Sequence, residues 1–178
     1  MNKKKIMGAL LLTLGMTGDA LAESGFYGGA SIGQSTIDAC GGVTNCDDTD
    51  TSWKIFGGWE LNSNIAFEAA WVDFGEVSGS VDGSAVSAEA DGWTVAAKGI
   101  LPLNEQFGVF GKFGVIMWDI KGGGAAAGIN DDGTDLMYGL GAHYMFTDQL
   151  GIVSEWEWYD IDNDNDIDLF SIGAMYKF

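Results

Sequence analysis

Apolar and polar positions alternate along this chain with a period of two. Near the carboxy terminus Phe170, Ile172, Ala174, Tyr176 and Phe178 share one face, and Ser171, Gly173, Met175 and Lys177 share the other. Such alternation predicts a β-strand, because successive side chains on a strand point to opposite faces. The pattern recurs seven times upstream. Phe26, Gly28, Ala30 and Ile32 alternate with Tyr27, Gly29, Ser31 and Gly33; Trp53, Ile55, Gly57, Trp59 and Leu61 alternate with Lys54, Phe56, Gly58 and Glu60. Phe67, Ala69 and Trp71 then oppose Glu68, Ala70 and Val72, and Trp93, Val95, Ala97, Gly99 and Leu101 oppose Thr94, Ala96, Lys98 and Ile100. Comparable runs start at Phe107, Leu136 and Ile152, so eight strands are predicted.

The predicted connections alternate in length. Three are tight turns, at Asn62–Asn64, Pro102–Gln106 and Thr147–Gln149. Four are longer: Ser35–Thr51, Gly75–Gly92, Asp119–Thr134 and Asp160–Ile167. Short turns on one rim and long loops on the other are the layout of an outer-membrane barrel.

A soluble eight-stranded barrel also alternates, so charge placement decides. Lys54, Lys98, Lys112 and Lys177 fall on the face opposite the Trp/Phe face, as do Glu60, Glu68, Glu155 and Glu157. The aromatic face carries acids only at its loop ends, at Asp73, Asp119 and Asp168. In water that face would be a large exposed apolar patch. In a bilayer it meets lipid, and the lumen collects the charges. Six of the seven Trp lie on the lipid face, as an interfacial girdle requires.

The amino terminus supports export. Lys3, Lys4 and Lys5 precede an apolar run from Ile6 to Thr17, and Ala20-Leu21-Ala22 reads as a cleavage site. The run is too short to span a bilayer, which takes about 20 residues. A signal peptide over 1–22 and a barrel domain over 23–178 are therefore expected. Cleavage removes three of eight Lys and one of 26 acids, leaving 5 − 25 = −20. That charge, with no Arg, excludes a nucleic-acid footprint. The 47% apolar residues and seven Trp argue against disorder.

Several short segments, in this order and spacing, resemble the small outer-membrane barrel family typified by the transmembrane domain of outer membrane protein A. They are Phe26-Tyr27-Gly28-Gly29-Ala30, Phe56-Gly57-Gly58-Trp59-Glu60-Leu61-Asn62, Phe67-Glu68, Ala97-Lys98-Gly99, Glu155-Trp156-Glu157-Trp158 and Tyr176-Lys177-Phe178. The resemblance implies a closed eight-stranded antiparallel barrel in the outer membrane of a Gram-negative bacterium, among lipid and lipopolysaccharide. It implies roles in envelope integrity, adhesion and phage or host contact. It also makes Tyr176 and Phe178 part of the signal read by the barrel-assembly machinery. The sequence stops at the barrel, so the peptidoglycan-binding domain of long members is expected to be missing. The arginine of the family's proposed lumen gate aligns with Val153, a departure that counts against a gating function.

Candidate chemistry is sparse. Glu68, Lys98, Lys112 and Glu155 lie near mid-strand on the inward face and predict lumen ion pairs. Buried charges must be paired, and eight strands leave a lumen just wide enough for side chains to fill. A structural network is therefore expected, with a narrow pore for ions or small solutes as the alternative. His143 is the only His and falls at the short-turn rim, away from any outer-rim nucleophile, so no enzyme is expected. Cys40 and Cys46 in an exported loop predict a disulfide, worth about 2 kcal/mol on the entropic model. Asp160, Asp162, Asp164 and Asp166 alternate through the last long loop and offer oxygen ligands for one Ca²⁺, although no EF-hand pattern is met. No other cofactor is expected, and the barrel is expected to be a monomer.

Overall fold

The computed structural model describes residues 25–37, 44–47, 49–81, 84–124, 127, 128, 130–161 and 165–178. The signal peptide expected over 1–22 lies outside them. The strands are β1 (Gly25–Ile37), β2 (Thr44–Asp47), β3 (Thr49–Asn62), β4 (Ile65–Val81), β5 (Ser84–Pro102), β6 (Phe107–Gly124), β7 (Asn130–Met145), β8 (Leu150–Ile161) and β9 (Asn165–Lys177). Eight of them pair antiparallel in the order β4-β3-β1-β9-β8-β7-β6-β5, and β4 pairs with β5 to close the ring. Closure leaves no free edge, so every wall strand is hydrogen-bonded on both sides, as a lipid-embedded sheet requires. The added ninth strand, β2, is short and pairs only with the outer end of β4, through Thr44↔Ser80 and Asp47↔Ser78.

The pairing fixes the strand tilt. From Phe26, outward-facing partners run through Trp59, Phe67, Ala97, Phe113, Tyr138, Trp158 and Asp168, and return to β1 at Thr36. The offset is 36 − 26 = 10 residues. Ten residues climb about 33 Å across eight spacings totalling about 38 Å, a tilt of about 40°.

The short turns stand at Ser63–Asn64, Leu103–Gln106 and Phe146–Gln149. At the first, the Asn62 side-chain oxygen accepts the N–H groups of Asn64 and Ile65, both at 2.9 Å. The opposite rim departs from the sequence expectation of long loops. β4 and β5 stay paired to Val81↔Ser84, β6 and β7 to Lys121↔Asn130, and β8 and β9 to Ile161↔Asn165. The segments read as loops are largely hairpin arms projecting beyond the apolar belt. Apolar alternation ends where both faces meet water, but paired strands still satisfy the backbone. Lys121 consequently sits on a strand and points outward, 3.0 Å from Asp91 Oδ1.

Inside and outside are sharply distinguished. Ala66, Val72, Phe74 and Ile116, on the inner face, have no accessible surface, whereas outward Phe113 and Leu140 are 62% and 63% exposed. Trp118 is the one inward Trp; it is buried, and its indole N–H donates to Asp135 Oδ2 at 2.6 Å.

Candidate functional site

The lumen is organised in three layers. The middle layer holds Lys54 on β3, Glu68 on β4, Lys98 on β5, Lys112 on β6, and Glu155 and Glu157 on β8, all buried. Lys112 Nζ is central: it lies 2.6 Å from Glu155 Oε1 and 3.1 Å from Glu157 Oε1, and it also bridges Glu68. Lys54 pairs with both Glu155 and Glu157. Lys98 Nζ lies 3.0 Å from Glu68 Oε2 and 3.9 Å above the Phe110 ring centroid. The Tyr27 hydroxyl donates to Glu68 at 2.9 Å. Three ammonium and three carboxylate groups cancel, so the layer is neutral.

Strand register explains how β6 reaches β8 past β7. Lys112 pairs with Gly139 and Gly139 with Glu157, while Gly141 pairs with Glu155. A Cβ on Gly139 would stand 3.0 Å from Glu157 Cγ. Gly139 therefore clears the wall between the charged side chains, while Gly141 leaves room for the Phe110 ring.

Apolar layers enclose this one. Toward the hairpin rim lie Phe74, Ile116, Trp118, Met137, Tyr159 and Leu169. Toward the short turns lie Phe56, Phe110, Met145, Val153 and Met175, with the Tyr27 ring. Below them Lys177 Nζ and Glu60 Oε1 pair at 2.7 Å, near the solvent. His143 stacks on Phe110 at 6.2 Å and 18°. Among the described residues, the buried hydroxyls of Ser31, Ser52, Ser171 and Tyr159 find no hydrogen-bond partner.

The structure thus joins Glu68, Lys98, Lys112 and Glu155 in one network and adds Lys54 and Glu157, which periodicity placed on the inward face without a partner. Val153 lies among the apolar side chains of the lower layer. Tyr176 and Phe178 are outward, with rings 5.2 Å apart, and the Phe178 N–H donates to Phe26 O at 2.9 Å. The expected Cys40–Cys46 bridge cannot be placed, since Cys40 lies outside the described residues. So do Asp162 and Asp164 of the expected Ca²⁺ site; Asp160 and Asp166 face each other directly across β8 and β9.

At the hairpin rim, the Asp50 carboxylate accepts N–H groups from Thr51 at 2.7 Å and Glu76 at 2.8 Å. These bonds hold its pKa below the usual carboxylate value, Glu76 contributing most. The hydrogen bond to Asp91 raises the pKa of Lys121.

Comparison with known proteins agrees with this geometry. Residues 7–178 match the family model for the outer membrane protein beta-barrel domain. Outer membrane protein A of Salmonella typhi is 25% identical over 171 residues, covering 88% of this chain and 49% of that protein. The chain spans about half the length of the curated relatives it matches. Among solved structures, Ail, the attachment invasion locus protein of Yersinia pestis, superposes with a TM-score of 0.60 at 18% identity, covering 88% of this chain and 98% of that one. Ail has also been solved in complex with the heparin analogue sucrose octasulfate. The β-barrel domain of Pseudomonas aeruginosa OprF gives 0.58 at 10% identity, covering 86% and 98%. The chain belongs to the outer membrane protein β-barrel family, and its place is the cell outer membrane.

Proposed function

We propose that this member of the outer membrane β-barrel family is a structural and surface-presenting barrel with a closed lumen and no catalytic role. The neutral network of Lys54, Lys98, Lys112, Glu68, Glu155 and Glu157 carries the reading, because it crosses the lumen between two apolar layers. A permeating ion would have to displace paired charges and pass both layers at a desolvation cost of several kcal/mol. The contribution of the barrel is then a rigid, edge-free wall holding paired hairpins above the membrane. It inserts as a monomer through the assembly machinery, with Tyr176 and Phe178 as part of the signal.

Surface chemistry narrows the partner class. Asp50, Glu76, Glu89, Asp91, Asp131 and Asp132 occupy the hairpin side, with Lys121 as the single described cation there. Such a surface repels polyanions and fits cationic partners or divalent ions shared with lipopolysaccharide. It argues against taking over the heparin-analogue binding seen with Ail.

Planar-bilayer recording of the refolded protein tests the closed lumen. The expected result is no discrete conductance above the lipid baseline. One observation favours a pore: the unpartnered hydroxyls of Ser31, Ser52 and Ser171 lie on neighbouring strands along one wall. Reproducible unitary steps would establish that alternative.

A further inference from the structure

The hairpin arms end in two sheet edges, and the chain treats them differently. On the β4 side, Asp50 accepts the Glu76 N–H at 2.8 Å, and β2 pairs with the strand beyond it at Ser78 and Ser80. On the β7 side, pairing with β6 runs out to Asn130, but pairing with β8 stops at Met137↔Tyr159. Among the described residues, no strand continues alongside residues 130–136 on that side. The stretch is about 20 Å long, and alternate residues along it turn N–H and C=O toward the open side. The Asp132 N–H is bonded only to the neighbouring Asp131 carboxylate, at 3.1 Å. Proteins usually cover such an edge, because it is a ready template for another strand.

The foot of the open edge carries a pocket. Trp158 pairs with Tyr138 on β7 and with Asp168 on β9, and Asp160 faces Asp166 in the row above. These residues and Thr36 line a cavity of about 240 Å³. The Tyr138 and Trp158 rings lie nearly parallel, 5.6 Å apart at 21°, and form an aromatic wall beside three carboxylates. Such a wall suits a lysine or arginine side chain, which gains from both ring and carboxylate. The edge has the same sign, with Asp131 and Asp132 exposed and Asp135 half-buried.

These features select the occupant. Two barrels in one bilayer are related by an axis along the membrane normal, which cannot bring their β7 edges together antiparallel. Parallel pairing would set Asp131, Asp132 and Asp135 beside their own copies, and like charges directly opposite are destabilising. An extended basic segment satisfies both the backbone and the charge.

We propose that β7 binds an extended basic segment of another protein, which adds as a strand along residues 130–136 with one lysine or arginine in the Tyr138–Trp158 pocket. Main-chain hydrogen bonds supply the affinity, and the pocket supplies the choice of side chain. This partner class deepens the surface-presenting role proposed above, on which it rests.

The test uses the refolded full chain in zwitterionic micelles and a fluorescein-labelled Lys-Val-Lys-Val-Lys-Val-Lys amide. Saturable binding by anisotropy is expected, with amide hydrogen exchange slowed at residues 130–136 and unchanged in the wall strands. The same peptide with every amide N-methylated keeps its charge but cannot add to the sheet. It should bind about tenfold more weakly, a loss of about 1.4 kcal/mol. Glu in place of every Lys should abolish binding. The variant Asp160→Asn, Asp168→Asn, checked for the heat-modifiable mobility of a folded barrel, should bind the lysine peptide about tenfold more weakly. Absence of saturable binding, unchanged exchange at residues 130–136, or equal affinity of the N-methylated peptide overturns the added strand. Undiminished binding by the folded variant overturns the pocket as its anchor. Protection of residues 130–136 that grows with barrel concentration in the absence of peptide would assign the edge to a second copy and overturn the basic partner. Failure of the peptide with a barrel that shows no unitary conductance leaves the closed lumen standing; unitary steps would overturn the closed lumen and leave this edge untouched.

Discussion

Lys112 on β6 and Glu155 on β8 meet across the lumen, Nζ to Oε1 at 2.6 Å, past Gly139 of the strand between them, which is the register partner of Lys112. The pair belongs to a layer whose charges cancel, and that balance sets how the layer responds to mutation. Lys112→Met leaves three carboxylates facing two ammonium groups in a buried space. Breaking a buried pair in this way should cost about 3–5 kcal/mol. The double variant Lys112→Met, Glu155→Gln restores neutrality, with Lys54 and Lys98 against Glu68 and Glu157. It should therefore be more stable than Lys112→Met alone. Urea unfolding of the refolded barrels, arranged as a double-mutant cycle, measures the difference. A double variant no more stable than the single one would show that charge balance does not govern the layer.

The wall was legible in the sequence because a strand's side chains alternate regardless of its partners. Trp156 and Trp158 were separable from Glu155 and Glu157 by parity alone, and burial follows that division. The pairing inside was not legible. Lys54 and Glu157 are far apart in sequence, and only the stagger of ten residues brings them together. The hairpin arms were missed for another reason. Above the membrane both faces of β4, β5, β6 and β7 meet water, so polarity stops alternating while backbone pairing continues.

The hairpin arms have a pH-sensitive fastening. The Asp50 carboxylate accepts the Glu76 N–H where the β4–β5 register shifts between Asp73 and Glu76. Gly75 adopts φ +82° there, and a Cβ would run into the Asp50 carboxylate. Because the folded pKa is depressed, this contribution is complete above the unfolded carboxylate value and is lost as pH falls through the folded one. The Glu76 amide resonance should titrate with a midpoint below that of an ordinary aspartate. In Asp50→Ala the titration should vanish and the amide should exchange faster. Gly75→Ala should destabilise this end of the hairpin by about 1–2 kcal/mol through backbone strain. A Glu76 amide that is indifferent to pH from neutral to strongly acidic would remove the fastening.

The outward face answers to depth. Ala97 is outward, between Phe67 and Phe113 in the register row. Ala97→Lys near the bilayer midplane should cost about 2–4 kcal/mol, whereas Thr51→Lys, outward and exposed near the hairpin end of β3, should cost about 0–1 kcal/mol. Unfolding from lipid vesicles reads both. Equal costs would mean that the apolar belt does not run where the aromatic rows place it.

Phe178 lies where the barrel closes. Its N–H donates to Phe26 O, tying the last residue to the first wall strand, while its ring stands outward beside Tyr176 and over Gly28. The side chain is 68% exposed outside lipid, so its removal opens no cavity in the lumen. Phe178→Ala keeps the backbone bond and deletes only the ring. Stability of the refolded barrel should change by about 1 kcal/mol or less, as for a surface position. On the proposed role of the ring in the assembly signal, outer-membrane yield in cells should fall several-fold. Leu169 provides the contrast: it is buried in the upper lumen layer on β9, and Leu169→Ala should lower stability by about 2–5 kcal/mol. A Phe178→Ala chain that reaches the membrane at normal yield would exclude the ring from the assembly signal, leaving it only a place on the lipid face.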